Sequence, residues 1–386
     1  MSDGPTLIYD KSVIQALNPD EAFCLDCHFR INIVPVFFAE VLADLHKPGN
    51  KNRPPEDIVG SIASKISGFS AMPNVHHLTL CIGDLVGYEV EMQGVPVIGG
   101  GKTVRDTAGK IGVYFDEPQE IVAMRRWSKR DFMGVERDFA RAWRDSLQRQ
   151  DLEKIAAAIR PPGKVPPIDL AQIRAGADMI AAGNGQRYRT LKLALMMLAI
   201  PYQYHERIIA RWKACGGPPL SEFAPYADYV FRVDLFFNLG MAAKLIPTTR
   251  PSHRIDLAYL YYLPFCTVFS SFDRFHAAIV PHFLNHERQI FVPGSELKAD
   301  LAALAGHYAA LPPDERAKGA MTYAAYPPRT GDFLTSRLFD RFSPGWREFA
   351  ENPIEVSPER SRQIMEQLKP MLEAIETSKK NGSYAG

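Results

Sequence analysis

HRIDLAYLYYLPFCTVFSSFDRFH, residues 253–276, is the most apolar and aromatic stretch of the chain. Two aspartates, Asp256 and Asp273, sit inside it between apolar neighbours. An ionised carboxylate in such surroundings costs free energy unless something positive faces it. Residues 254–263 carry a helical pattern that Pro264 ends, and residues 267–271 (TVFSS) read as a strand with Asp273 just beyond it. Residues 275–284 read as a helix, 289–292 (QIFV) as a short strand and 296–304 as another helix. Strands alternating with helices at this spacing predict a parallel α/β sheet.

The same alternation occurs at the N-terminus. Residues 6–10 (TLIYD) are β-prone and end in an acid, and the apolar-periodic VIQAL follows. Residues 32–37 (NIVPVF) read as a second strand that Pro35 weakens or ends, and residues 38–46 (FAEVLADLH) as a helix. The pattern breaks off at the Pro/Gly/Asn-rich residues 47–55. Beyond it, residues 88–115 suggest a β-hairpin, residues 117–154 one long charged helix or a pair, and residues 168–214 further helices after a Pro-rich joint at 155–168. The expected architecture is one α/β domain split by a mainly helical insertion carrying a β-hairpin. Residues 1–48 and 225–310 form the core, 49–224 the insertion and 311–386 a C-terminal extension.

Of the 386 residues, 46% are apolar and 23% charged, the balance of a globular protein, and the net charge of +1 exerts no overall pull on nucleic acid. The first residues, MSDGPTLIYDKS, lack a basic-then-apolar leader, and runs such as LALMMLAI (193–200) are too short to span a bilayer. A cytoplasmic protein with no membrane partner is expected. Five scattered cysteines argue against a disulfide framework. Cys24-Leu25-Asp26-Cys27-His28 matches a haem-attachment pattern, but without an export signal or a second ligand pair it is read as structural.

The acids make sense as a set. Ligands of parallel α/β sheets gather outside the carboxyl ends of the strands. Asp10 ends the first strand and Asp273 follows a later one. Glu40 lies early in the helix after the second strand, and Asp256 early in the helix that feeds the strand of residues 267–271. Converging carboxylates repel one another unless a cation sits between them, and hard oxygen donors suit Mg²⁺ or Mn²⁺. Each acid also has an ordinary reading: Asp10 and Asp273 as helix caps, Asp256 as a partner of a helix dipole, Glu40 with Asp44 as a solvated stripe.

YDKSVIQAL, FRINIVPVFFAEVLADL and RIDLAYLYYLPFCTVFSSFDRF together resemble a PIN-domain nuclease. The resemblance covers residues 5–48 and 250–300, about a quarter of the chain. It implies a PIN-like parallel sheet sandwiched by helices, with Asp10, Glu40, Asp256 and Asp273 as catalytic metal ligands and Ser12 orienting Asp10 or binding phosphate. It implies a Mg²⁺- or Mn²⁺-dependent ribonuclease in which a metal-activated water attacks phosphorus. The expected partners are RNA or single-stranded nucleic acid, an antitoxin or other regulatory protein, and a second copy of the chain as a homodimer. The alternative is a PIN-like scaffold that binds nucleic acid or protein without turnover. The large insertion departs from a compact PIN domain, and the strand that should follow the Glu40 helix has no clear place in the sequence.

Lys11 and Arg274, each directly after a site acid, are placed to meet a substrate phosphate. The basic run from Arg125 to Arg149, interleaved with Trp127 and Trp143, reads either as a nucleic-acid surface or as a solvated helix paired to its own acids. Residues 99–103 (GGGKT) lack the spacing of a phosphate-binding loop and read as a hairpin turn. His76-His77 reads as surface.

Overall fold

The computed structural model describes residues 4–47, 53–66, 70–149, 151–158, 168–351 and 357–382. Most of the hinge at 47–55 and most of the joint at 155–168 lie outside these residues. Five parallel strands build the central sheet: β1 (Thr6–Tyr9), β2 (Arg30–Ile33), β3 (Ala71–Pro73), then, after the hairpin strands β4 (Lys102–Arg105) and β5 (Ile111–Tyr114), β6 (Val268–Ser271) and β7 (Ile290–Pro293). Their order across the sheet is β3-β2-β1-β6-β7. Helices flank the sheet, so an α/β fold is established.

Both faces of the central strands are covered, so every residue of β1 (TLIY) and β6 (VFSS) is buried and neither alternates between buried and exposed. Leu7, Ile8, Val268 and Phe269 are fully buried. The second strand is shorter than expected. It stops at Ile33, and Pro35 opens the Pro35–Leu42 helix, where its missing N–H costs nothing. The sequence reading also passed over the Pro19–His28 helix, which Asn18 and Glu21 cap reciprocally, Asn18 N–H donating to Glu21 Oε2 at 2.7 Å. That helix carries the Cys24–His28 motif, with His28 buried against the Tyr308 hydroxyl at 2.8 Å from Nε2.

The insertion boundary at 49 needs correction. β3, at residues 71–73, pairs with β2 in register Ile31 opposite Ala71, so the sheet's edge strand lies inside the span assigned to the insertion. Three residues of Ala-Met-Pro carry too little pattern to announce a strand; pairing to β2 makes it one. The boundary at 224 crosses a packed layer as well, because the buried Pro225–Ala242 helix packs on the Leu170–Ala182 and His77–Val86 helices. Residues 102–114 form the expected hairpin, and the Pro358–Gly382 helix lies against it, with Tyr114 OH donating to Ser378 Oγ at 3.3 Å. Residues 117–154, expected as one or two helices, make three: Gln119–Ser128, Gly134–Gln148 and the start of Leu152–Ala158. Among the described residues no helix is long and apolar enough to cross a membrane.

Candidate functional site

The chain order places a switch point between β1 and β6. From β1 the chain builds β2 and β3 toward one edge, then returns to build β6 and β7 on the other side. The crevice at such a point, outside the carboxyl ends, is where open α/β sheets hold ligands. The register Tyr9 opposite Ser270 sets Asp10 beside Ser271 there. The Pro35–Leu42 helix brings Glu40, the His253–Leu260 helix brings Asp256, and the turn after β6 brings Asp273. The four acids lie within electrostatic range of one another: Asp256 feels Asp273, Glu40 and Asp10.

Asp10 is nearly buried and fully engaged. Its Oδ1 accepts from the Ser12 hydroxyl at 2.6 Å and the Val13 N–H at 3.3 Å. Its Oδ2 accepts from the Ser271 hydroxyl at 2.7 Å and lies 3.5 Å from His276 Nδ1. It therefore fills the ordinary role weighed for it, capping the Lys11–Ala16 helix, at the carboxyl end of β1. The Ser12 hydroxyl that donates to Asp10 also accepts the Phe272 N–H, at 3.2 Å.

His276 is the residue that sequence reasoning missed. It is fully buried, with Tyr259 and Phe269 edge-on to its ring. Nε2 is 2.9 Å from the Asp256 carbonyl, which can only accept, so Nε2 carries a proton. Nδ1 is 2.9 Å from Ser271 Oγ, whose one proton goes to Asp10 and which also accepts the Asp273 N–H at 2.9 Å. Nδ1 must then donate too, and the ring is an imidazolium facing an ionised Asp10. Burial works to lower the His276 pKa, but the hydrogen bond and charge of Asp10, with Asp256, hold it above the usual 6.5. Burial likewise works to raise Asp10, but His276 and the two hydroxyls hold it below the usual 3.8. The signal for His276 lay in the opening stretch, three residues after Asp273, and only the fold turns it toward Asp10.

Glu40 is held differently. Its Oε2 accepts from the Tyr259 hydroxyl at 2.7 Å and its Oε1 lies 3.5 Å from Lys11 Nζ. Burial, with Asp10 and Asp44, raises its carboxyl above the usual value despite Lys11 and Tyr259. Tyr259→Phe would leave Oε2 without its donor; we expect a loss of about 1.5 kcal/mol in denaturant unfolding. Lys11 does not reach outward for a phosphate. Its ammonium is 3.0 Å from Asp44 Oδ2 and 3.3 Å from the Glu40 carbonyl, and Asp44 is buried in that pair. The substrate-binding role expected for Lys11 is replaced by an internal one.

Asp273 caps the helix of Arg274–Ile279 through the Phe275 N–H at 2.7 Å. Asp256 stands apart. Burial first, then Asp273, Glu40 and Asp10, push its carboxyl up to about 7 although His276 pulls the other way. Arg274 is exposed and, among the described residues, pairs with no carboxylate.

The basic run resolves as a self-paired surface. Arg126 binds Glu136 at 2.5 Å, Arg130 binds Asp57 at 3.1 Å, Arg137 binds Glu56 at 2.7 Å, and Arg125 pairs with Glu117. Trp127 is buried and donates to Glu136 at 3.0 Å. His76 caps the His77–Val86 helix, accepting the Leu78 N–H on Nδ1 at 3.2 Å.

Carboxylate oxygens are the donors that a hard divalent cation takes. All four acids offer oxygen, and Asp256 has a carboxyl at about 7 that the protein's own cations leave uncompensated. Asp10, Glu40, Asp256 and Asp273 are the residues that would hold it. The side chains do not stand as a finished coordination sphere: among the described residues no group of three or more His, Cys, Asp or Glu side chains is placed to hold a metal ion. Compared with protein-family models, with curated proteins and with solved structures, the chain has no match.

Proposed function

We propose that the protein is a metal-dependent phosphodiester hydrolase of PIN-like type acting on RNA. The observation that carries this reading is the convergence of four acids from three separate stretches of chain on the carboxyl edge beside the β1–β6 switch point. The resemblance of the flanking sequence to PIN-domain nucleases adds to it. A bound Mg²⁺ or Mn²⁺ would supply Lewis acidity and an activated water. The chain's own residues do the positioning. Ser12, Ser271 and His276 hold Asp10 ionised and fixed, Tyr259 and Lys11 fix Glu40, and Asp273 is anchored by the helix it caps. Asp256, at about 7, is the acid poised to lose its proton when positive charge arrives.

The second reading, a nucleic-acid- or protein-binding scaffold without turnover, draws on one feature: the oxygens of Asp10 are already taken by four donors. One experiment separates the two. Single-stranded RNA and DNA are incubated with the protein and Mn²⁺ or Mg²⁺, beside Asp256→Asn and Asp273→Asn. Cleavage by the native chain, lost by a hundredfold or more in Asp256→Asn, supports the hydrolase. Cleavage that survives both substitutions overturns the site, and none on any substrate favours the scaffold.

A further inference from the structure

Phe272, directly before Asp273 and directly after four covered strand residues, has 40% of its surface exposed. Single exposed apolar residues are ordinary on protein surfaces. This one is held in place from two sides. Its N–H donates to Ser12 Oγ at 3.2 Å, the same hydroxyl that orients Asp10, so the backbone is tied to the acidic site. The β6–β7 register, Ser271 opposite Pro293, carries the ring onto Gly294, where an added Cβ would overlap Phe272 Cδ2. A glycine is required there for the ring to lie flat on the backbone. The ring is therefore seated on Gly294 and still partly open to solvent, directly before Asp273 and the exposed Arg274, whose guanidinium pairs with no carboxylate among the described residues.

A seated, partly exposed aromatic ring, one residue from a site acid and two from an exposed cation, matches a nucleotide unit: a flat base beside a phosphate. Stacking on such a ring needs a base out of its duplex, because a paired base already has neighbours on both faces. We propose that Phe272 is the stacking platform for an unpaired nucleobase at the reaction site, with Arg274 taking an adjacent phosphate, so that the substrate is single-stranded. This rests on the hydrolase reading for the meaning of the site, but its test reads binding alone.

The experiment measures fluorescence anisotropy of a short end-labelled single-stranded RNA, and of the same sequence as a blunt duplex, with Ca²⁺ present to offset the acids. The native chain should prefer the single strand. Phe272→Ala should weaken single-strand binding about tenfold or more and erase the preference, while Phe272→Tyr keeps both. Gly294→Ala, which displaces the ring without removing it, should fall with Phe272→Ala. Arg274→Gln should lower the salt slope of binding by about 0.7, the share of one phosphate on a single strand. Equal affinity of the native chain for strand and duplex, no measurable binding of the single strand, or unchanged binding in a folded Phe272→Ala overturns the proposal. Cleavage of RNA by the native chain with Phe272→Ala equally active would sink this inference and leave the hydrolase standing. Single-strand binding through Phe272 without cleavage would do the reverse.

Discussion

Asp256→Asn is expected to stabilise the protein above neutral pH, by up to about 4 kcal/mol, and under the proposed hydrolase function to lower phosphodiester cleavage at least a hundredfold. In the folded chain burial and three nearby carboxylates raise the Asp256 carboxyl from 3.8 to about 7. The folded state therefore holds a proton that the unfolded state has already released. Below about 4 both states are protonated and the group contributes nothing. Stability falls as pH rises from about 4 to about 7, and the full cost persists above that. The upper figure follows from about 1.4 kcal/mol for each pH unit between the two values, and residual solvent contact at Asp256 makes it a ceiling. Asn carries no charge, so its unfolding curve should lose this pH dependence. Mg²⁺ should raise the melting temperature of the native chain more at pH 8 than at pH 5, because only an ionised Asp256 has charge to offer. Thermal unfolding across pH, with and without Mg²⁺, checks both statements. A native chain as stable at pH 8 as at pH 5 would refute them.

The neighbouring substitution should act in the opposite direction. Asp10→Asn is expected to cost about 3 kcal/mol, because it strips the buried imidazolium of His276 of its counter-charge and turns an acceptor into a donor before two hydroxyls. Asp10 is held below its usual pKa, so its contribution is present above about 3.8 and lost as pH falls through the folded value. His276 is held above its usual value, so its contribution is complete below 6.5 and lost as pH rises through the folded value. The loss on Asp10→Asn should therefore be greatest between about pH 4 and 6.5. Urea unfolding of both chains at several pH values measures it, and an Asp10→Asn chain as stable as the native one would show that the pair contributes nothing. Asp10 and Asp256 thus carry the same chemistry with opposite energetic signs, one supported by its neighbours and the other tolerated. Acids tolerated at such a cost are those that function retains.

How much of this was legible differs from element to element. The α/β alternation around residues 6–46 and 253–304 could be read because β1 and β6 are short β-prone runs with an acid one or two residues beyond them and helices after that. β3 could not, since Ala-Met-Pro acquires its strand character only from pairing to β2. The basic run from Arg125 to Arg149 looked equally suited to a phosphate backbone or to its own carboxylates. In the structure Arg126 pairs with Glu136 of the same run, while Arg130 and Arg137 reach Asp57 and Glu56 of the Pro55–Ala63 helix, partners the sequence did not suggest.

The sequence by itself determined which residues are acidic and much of where strands alternate with helices, and hence that Asp10 and Asp273 cap helices after strands while Glu40 and Asp256 lie within helices. Those are local properties, set by periodicity, caps and prolines within a few residues. What faces each acid was decided by the tertiary structure alone. Lys11 turns inward to Asp44 and Glu40, His276 turns to Asp10, Tyr259 turns to Glu40, and Asp256 is left without an equivalent partner. The physical reason is that a carboxylate's state depends on every charge and dipole within several ångströms. Around Asp10 and Glu40 those groups come from stretches of chain more than two hundred residues apart.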